Sequence, residues 1–432
     1  MLSDNGGAVR IKPPPSPAVR KHEYPERHKA GRRKPAVPSR RKKHSHPPIP
    51  KQHSSYGKSI LLIVLMLAAG IGIYVYIINS GRNTRDTAER KLLEIKTGEN
   101  SGPPETTAET SDDASEKITP PKPGFKKSLP RNPVEKYGQL STKGACIVDE
   151  DGNPVVLRGM SFFHCADADK FKNKECIKWL MKDWNCKIVR FPVMPDVRYE
   201  RNPEQMTKMT FKFIDACIEL GVYVIIDFHG GKSPAPHLAS GIKFFADVAA
   251  KYGHLPNIIY EPYNEPYGKG VSWTGVVKPY HEAVIAAIRK YDKSNLILLG
   301  TPSFSLNIDE ILQSPVSKFK NIVYVAHFYA ATHKQDIRNR IQKVIDANCP
   351  VFISEFGTCT YTGDGKLDSD SLAEWMAFLD RNKIGWCNWS VHDKKETASI
   401  LKPGANSTGS WGIGTLSPSG FLIRKYLWKA GK

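Results

Sequence analysis

The feature that most constrains this chain is a repeat of short apolar runs, nearly all followed by a helix-like stretch, after residue 133. The runs are "PVVLRGMS" (154–161), "KIVRFPV" (187–193), "VYVIIDFH" (222–229), "NIIYEPYNE" (257–265), "NLILLGT" (295–301), "NIVYVAHFY" (321–329), "PVFISEFG" (350–357) and "IGWCNWSV" (384–391). Amphipathic segments near 173–184, 205–220, 237–252, 276–290, 334–347, 369–382 and 418–429 separate or close them, with apolar positions at three and four spacing. Continuous β-branched strands rather than alternating ones imply a parallel sheet covered on both faces. Eight such units imply a closed (β/α)8 TIM barrel over 133–432. A doubly wound open sheet is the alternative, but no glycine-rich phosphate turn follows the first strand.

In such barrels the chemistry sits where the strands end. Here the ends carry Ser161 to His164, Arg190, Asp227 and His229, Asn264 and Glu265, His327 and Tyr329, Glu355, and Trp389. A folding requirement alone does not put so many polar groups at the ends of apolar strands. In "YEPYNEP", strict alternation places Glu261, Tyr263 and Glu265 on one face, with Glu261 about 13 Å deeper at ~3.3 Å per residue. Glu261 is therefore expected to be a buried structural carboxylate and Glu265 to stand at the mouth. Asn264 reaches the same pocket only if the strand bulges or breaks there. Glu265 ends the fourth strand and Glu355 the seventh. Two carboxyl groups facing each other across a cleft are the equipment for glycosidic bond cleavage, one as nucleophile and one as acid. Arg190 is placed to hold the nucleophile ionised, and Trp389 offers a flat apolar face to a sugar ring.

The segments upstream differ in kind. Residues 1–58 hold fifteen Lys/Arg, three acidic residues and ten prolines, and read as a disordered basic cytosolic tail. Much of the chain's net charge of +20 lies there; an anionic lipid surface is the expected partner rather than nucleic acid. Ile60 to Ile78 is free of charge over nineteen residues, long enough at ~1.5 Å per residue to span a bilayer. A transmembrane signal-anchor helix is thus expected over 59–79, followed by a Pro/Thr/Glu-rich stem over 80–132. Basic residues precede the span, which makes this a single-pass type II protein with the barrel extracellular or lumenal. Asn406 is then a glycosylation candidate, while the sequon at Asn388 ends a strand and is expected to be buried. All eight cysteines follow the stem, and their spacing matches no zinc signature.

The stretches "GQLSTKGACIVDEDGNPVVLRGMS", "WNCKIVRFPVM", "ELGVYVIIDFH", "PNIIYEPYNEP", "VYVAHFYAATH", "VFISEFGT" and "WCNWSVHDKKETASILKPGANSTGSW", in this order, resemble glycoside hydrolase family 5. The likeness is closest to the bacterial-type endo-β-1,4-glucanases and covers residues 137–428. The resemblance implies a retaining cellulase without cofactor or metal, acting on a β-1,4-glucan. It implies Glu265 as acid/base and Glu355 as nucleophile. Asn264 would meet the sugar 2-hydroxyl, Arg190 and Tyr329 would hold the nucleophile, and His229 and His327 would line the pocket. Trp389 would be the sugar platform, with Lys394 and Glu396 binding sugars further along the cleft. Phe356 and Phe228 stand where the family usually has Trp. His164 is displaced by one residue from the family's histidine, and Tyr361 occupies a position usually small.

Three other functions fit parts of this pattern. Another β-glycan (mannan, xyloglucan or mixed-linkage glucan) would share the fold and both glutamates. A membrane-tethered lectin-like barrel would need neither glutamate. A metal-dependent barrel hydrolase could use Asp227, His229 and His327.

Overall fold

The computed structural model describes residues 132–429. The tail, the transmembrane helix and nearly all of the stem expected from the sequence lie outside the described residues. Among the described residues no helix is long and apolar enough to cross a membrane.

Eight parallel strands close into a barrel: β1 Arg158–Phe162, β2 Ile188–Val193, β3 Tyr223–Phe228, β4 Ile258–Glu261, β5 Ile297–Leu299, β6 Ile322–Tyr329, β7 Val351–Gly357 and β8 Trp386–Val391. Each pairs with its sequence neighbours, and β8 pairs with β1. The outer helices are α1 Lys174–Trp184, α2 Pro203–Leu220, α3 Leu238–Tyr252, α4 Lys278–Ile288, α5 Gln335–Asp346, α6 Ser369–Arg381 and α7 Pro418–Lys429. Their ends are set locally. Asn173, Asn202 and Asp368 side chains cap the N-termini of α1, α2 and α6, and Gly221 closes α2 in the left-handed conformation at φ 66°. The strand–helix rhythm breaks once: β5 is followed by the short helical turns Pro302–Ser305 and Ile308–Gln313.

The two faces of each strand serve different cores. Val189, Phe191, Val224, Ile226 and Phe228 turn outward and pack with Phe213, Phe244 and Trp375 of the helices. Each fully buried side chain of this size contributes about 1.5–3 kcal/mol. The inward face begins apolar. Ile188, Ile225, Ile259, Val325 and Cys387 fill the lower interior, together with Leu140 and Ile147 around a hairpin of Ser141–Lys143 and Cys146–Val148. Two residues further along these five strands the same face carries Arg190, Asp227, Glu261, His327 and Trp389, four of them ionisable. The strand period of two thus stacks a polar layer directly on an apolar one.

Two irregularities shape the top. β4 stops at Glu261, where Pro262 has no N–H to continue the ladder. Strict alternation therefore fails. Tyr263 packs outward against Tyr280 of α4, and Asn264 turns inward to Arg190. Glu265 and Pro266 pair separately with Gly231 and Lys232. The break expected beside Asn264 is present, and Glu261 is the buried, hydrogen-bonded carboxylate expected of it. One guanidinium reaches Glu261, Asn264 and Glu355 together. The second irregularity lies in β7. Its register shifts against both β6 and β8 between Phe352 and Phe356. Consecutive residues Ser354 and Glu355 consequently both reach the interior.

Candidate active site

Arg190 of β2 is the hub. It is fully buried, and its Nε and Nη2 donate to the two oxygens of Glu261 at 2.7 and 3.2 Å. Nη2 also donates to Asn264 Oδ1 at 2.5 Å and lies 2.9 Å from Asp227 Oδ2. Nη1 donates to Glu355 Oε2 at 3.1 Å. Burial alone would lower the arginine pKa, but Asp227, Glu261 and Glu355 outweigh it and raise it above the usual value. A planar fork with fixed donors is what such a constellation requires.

The two carboxyls named from the sequence meet here. Glu355 accepts from Arg190 on Oε2 and from the Tyr329 hydroxyl on Oε1 at 2.8 Å. Gly357 makes the second bond possible, because a Cβ there would lie 2.3 Å from the Tyr329 ring. Glu265 accepts no such cation. Its Oε1 lies 2.8 Å from His327 Nδ1, and its side chain is 22% exposed at the pocket floor. Burial pushes its pKa from 4.5 to about 7, with Arg190 pulling the other way and Glu261 adding to the rise. One oxygen each of Glu265 and Glu355 lies within 4.8 Å of the other.

The remaining predicted residues divide between walls and rim. His229 Nδ1 bonds Asp227 Oδ2 at 2.7 Å, and burial lowers the His229 pKa to about 3, so a neutral imidazole faces the pocket. Burial raises Asp227 to about 7, against the pull of Arg190. Trp389 stacks parallel on His229 with ring centres 5.1 Å apart. His164 joins that stack, 5.0 Å from His229 and 5.5 Å from Trp389, despite its displaced sequence position. Lys394 and Glu396 pair at 2.5 Å on the rim. Together with Phe163 and Asn264 these groups line a cavity of about 410 Å3 on one side of the carboxyl pair. Asn264 has its oxygen committed to Arg190, which leaves its amide nitrogen free to donate.

A second cavity of about 390 Å3 opens on the other side of Glu265 and Glu355. Phe304, Leu306 and His333 line it, and sequence reasoning did not find them. Phe304 lies in the turn after β5, where Ser303, Phe304 and Ser305 all have left-handed φ near 60°. The conformation is costly for such residues, and it presents a ring stacked on Tyr267 at 4.0 Å. Tyr361, 68% exposed, borders both cavities. Ser354, also not anticipated, bonds Glu261 and His327. A larger groove of about 770 Å3 runs outside between α2 and α3, lined by side chains such as Lys208, Asp215, Lys243 and Asp247 and by none of the residues around the carboxyl pair.

The metal-site trio Asp227, His229 and His327 is not brought together. Among the described residues the ligand-type atoms that do converge belong to Glu265, His327 and Glu355. Both Glu355 oxygens there already accept hydrogen bonds from Arg190 and Tyr329, and both His327 nitrogens are engaged. Asn406 is exposed, whereas Asn388 is buried with its amide on the Phe356 carbonyl. None of the eight cysteines forms a disulfide.

Residues 148–395 match the family model for cellulase (glycosyl hydrolase family 5). Endoglucanase A of Evansella cellulosilytica is 38% identical over 277 residues, covering 63% of this chain and 56% of that protein. Endoglucanase N of Pectobacterium atrosepticum is 37% identical over 303 residues, covering 69% and 68%. The chain thus spans between about half and two thirds of these relatives' lengths. Among solved structures, one from Cytophaga hutchinsonii superposes with a TM-score of 0.68 at 42% identity, covering 70% of this chain and 98% of that one. The catalytic domain of a Thermobifida fusca endoglucanase superposes at 0.66 with 35% identity, covering 69% and 100%, and has also been solved with cellotetraose.

Proposed function

The chain belongs to glycosyl hydrolase family 5, and we propose that it is a retaining endo-β-1,4-glucanase acting on cellulose or a related β-glucan. The observation that carries the mechanism is the spacing of the carboxyl groups. Oxygens of Glu265 and Glu355 within 4.8 Å of each other suit direct attack on the anomeric carbon, and the gap is too small for the intervening water of an inverting enzyme.

In this reading Glu355 is the nucleophile, oriented by Arg190 and Tyr329. It forms a bond to the anomeric carbon as the carbon–oxygen bond to the leaving sugar breaks. Glu265 gives its proton to the departing oxygen, then takes one from the water that cleaves the glycosyl ester. Its raised pKa, about 7, keeps it largely protonated below neutral pH. The free amide of Asn264 faces the sugar 2-hydroxyl, and Trp389 carries the ring. Cavities on both sides of the carboxyl pair favour cleavage inside a chain, with sugars held on either side.

The test uses a substrate with a good leaving group, dinitrophenyl β-cellobioside, which scarcely needs an acid. Glu265→Ala forms the glycosyl-enzyme and stalls; azide, which needs no deprotonation, restarts turnover and gives the β-azide. Glu355→Gln is inactive on every substrate. Proton NMR of the wild-type reaction shows the β-anomer first. An α-anomer first, or azide rescue of a Glu261 variant in place of Glu265→Ala, would overturn the assignment.

A further inference from the structure

Four groups run in a line through the barrel beneath the acid/base position: Glu261 of β4, Ser354 of β7, His327 of β6 and Glu265. Ser354 Oγ is 2.6 Å from Glu261 Oε1, His327 Nε2 is 2.9 Å from Ser354 Oγ, and His327 Nδ1 is 2.8 Å from Glu265 Oε1. All but Glu265 are essentially inaccessible to water. Buried contacts of this length need one hydrogen each. The chain of bonds therefore restricts where the protons sit.

Burial raises the Glu261 pKa, but both its oxygens accept the Arg190 fork, which opposes that rise and is the arrangement that suits an anion facing a cation. The single Ser354 hydrogen then points to Glu261, and the serine oxygen must accept from His327 Nε2. Burial lowers the His327 pKa to about 4, so its imidazole is neutral and carries one hydrogen. With that hydrogen on Nε2, Nδ1 is bare, and the 2.8 Å contact is satisfied only by a proton on Glu265. The reverse arrangement, with the proton on Glu261 and Glu265 ionised, leaves the guanidinium facing a neutral acid.

We propose that Ser354 is a positioning residue that fixes His327 as the Nε2–H tautomer, so that Nδ1 holds the catalytic proton on Glu265. This rests on the proposed hydrolytic role of Glu265. Loss of that proton breaks a buried hydrogen bond wherever the remaining hydrogens move. If His327 turns its hydrogen to Nδ1, Nε2 faces the serine lone pairs. If it does not, Nδ1 faces a carboxylate. The device keeps the acid protonated before attack and makes the later carboxylate a more eager base toward water. The other charged or titratable groups around Glu265 are Arg190 of β2, Asp227 and His229 of β3, Tyr329 of β6 and Glu355 of β7. Glu261 and Asp227 add to the retention of the proton, and Arg190 opposes it. None of these depends on which nitrogen of His327 carries the hydrogen, whereas the Ser354 effect does.

Ser354→Ala removes the constraint, since His327 can then place its hydrogen on Nδ1 and stabilise ionised Glu265. The alkaline limb of kcat/KM, which reports the free enzyme, is measured on cellopentaose with the full chain. It moves down by about one pH unit in Ser354→Ala, a roughly tenfold loss of activity above the limb. Ser354→Thr restores the hydroxyl and returns the limb to the wild-type position. An unmoved limb in Ser354→Ala, or an equal shift in Ser354→Thr, overturns the proposal. Nitrogen-15 NMR of His327 in the wild type gives a reading independent of variants and of turnover. A protonated Nε2 with bare Nδ1 is expected; the Nδ1–H tautomer or an imidazolium overturns the proposal. Wild-type inactivity on cellopentaose would instead refute the hydrolytic function and leave the tautomer measurement standing.

Discussion

Burying a carboxyl group that must stay protonated has a stability signature of its own. Glu265 has a folded-state pKa of about 7 against an ordinary 4.5. Between these values the folded protein holds a proton that the unfolded chain releases. Stability from this group therefore falls as pH rises from about 4.5 and has been lost in full above about 7. The loss is on the order of 3 kcal/mol at most. Glu265→Gln cannot ionise, and its amide can donate to His327 Nδ1 as the protonated acid does. Its melting temperature is expected to match the wild type near pH 4.5 and to exceed it increasingly up to pH 8, while cellulose hydrolysis is lost. Asp227 is raised by burial and, in part, by Glu265 itself, so the variant relieves it too and the difference grows with pH in the same direction. A melting difference that stays flat with pH would show that Glu265 is not the group whose burial is being relieved.

At the scale of elements, the barrel and most of its polar layer were legible because strands with period two and apolar neighbours leave few choices. Arg190, Asp227, His327 and Trp389 each follow an apolar interior residue by two positions, so one pattern predicts both burial and function. What stayed hidden lies where that period breaks. If Glu355 is taken as inward by alternation, Ser354 is sent to the helices; in the structure Ser354 keeps the inward face of Phe352, and the register shift in β7 brings Glu355 in beside it. Phe304 sits in a left-handed turn that no apolar or polar pattern announces. The close approach of β6 and β7 can be tested through Gly357. An alanine Cβ would meet the Tyr329 ring at 2.3 Å and push its hydroxyl off Glu355. Gly357→Ala is expected to lower kcat roughly 10²-fold, the usual cost of one lost preorganised donor. Overpacking should cost about 1–3 kcal/mol of stability. Tyr329→Phe should reproduce the kcat loss without the overpacking. If Gly357→Ala turned over normally while Tyr329→Phe did not, the ring would have another route to Glu355.

For the whole molecule, we propose that the barrel lies on the non-cytosolic side of a membrane, as the charge-free run 60–78 and the basic residues before it suggest. Eight free thiols in an oxidising compartment pose the obvious objection. Five of them, Cys176, Cys186, Cys217, Cys359 and Cys387, are buried, and burial raises their pKa well above the ordinary thiol value. The thiolate is the reactive form, so these five are protected from oxidation by the barrel itself. The two sequons give the decisive measurement, because they differ in structure and not in motif. Asn406 is exposed, its side-chain oxygen accepting from the Thr408 N–H and hydroxyl at 3.0 and 2.9 Å. Asn388 is buried with its amide nitrogen on the Phe356 carbonyl at 2.9 Å. Translation of the full chain with microsomes is expected to add one glycan, removed by endoglycosidase and abolished by Asn406→Gln. The barrel should also resist added protease until detergent opens the vesicles. A barrel that is digested without detergent and never glycosylated would place it in the cytosol, and the basic tail would then need a partner other than lipid.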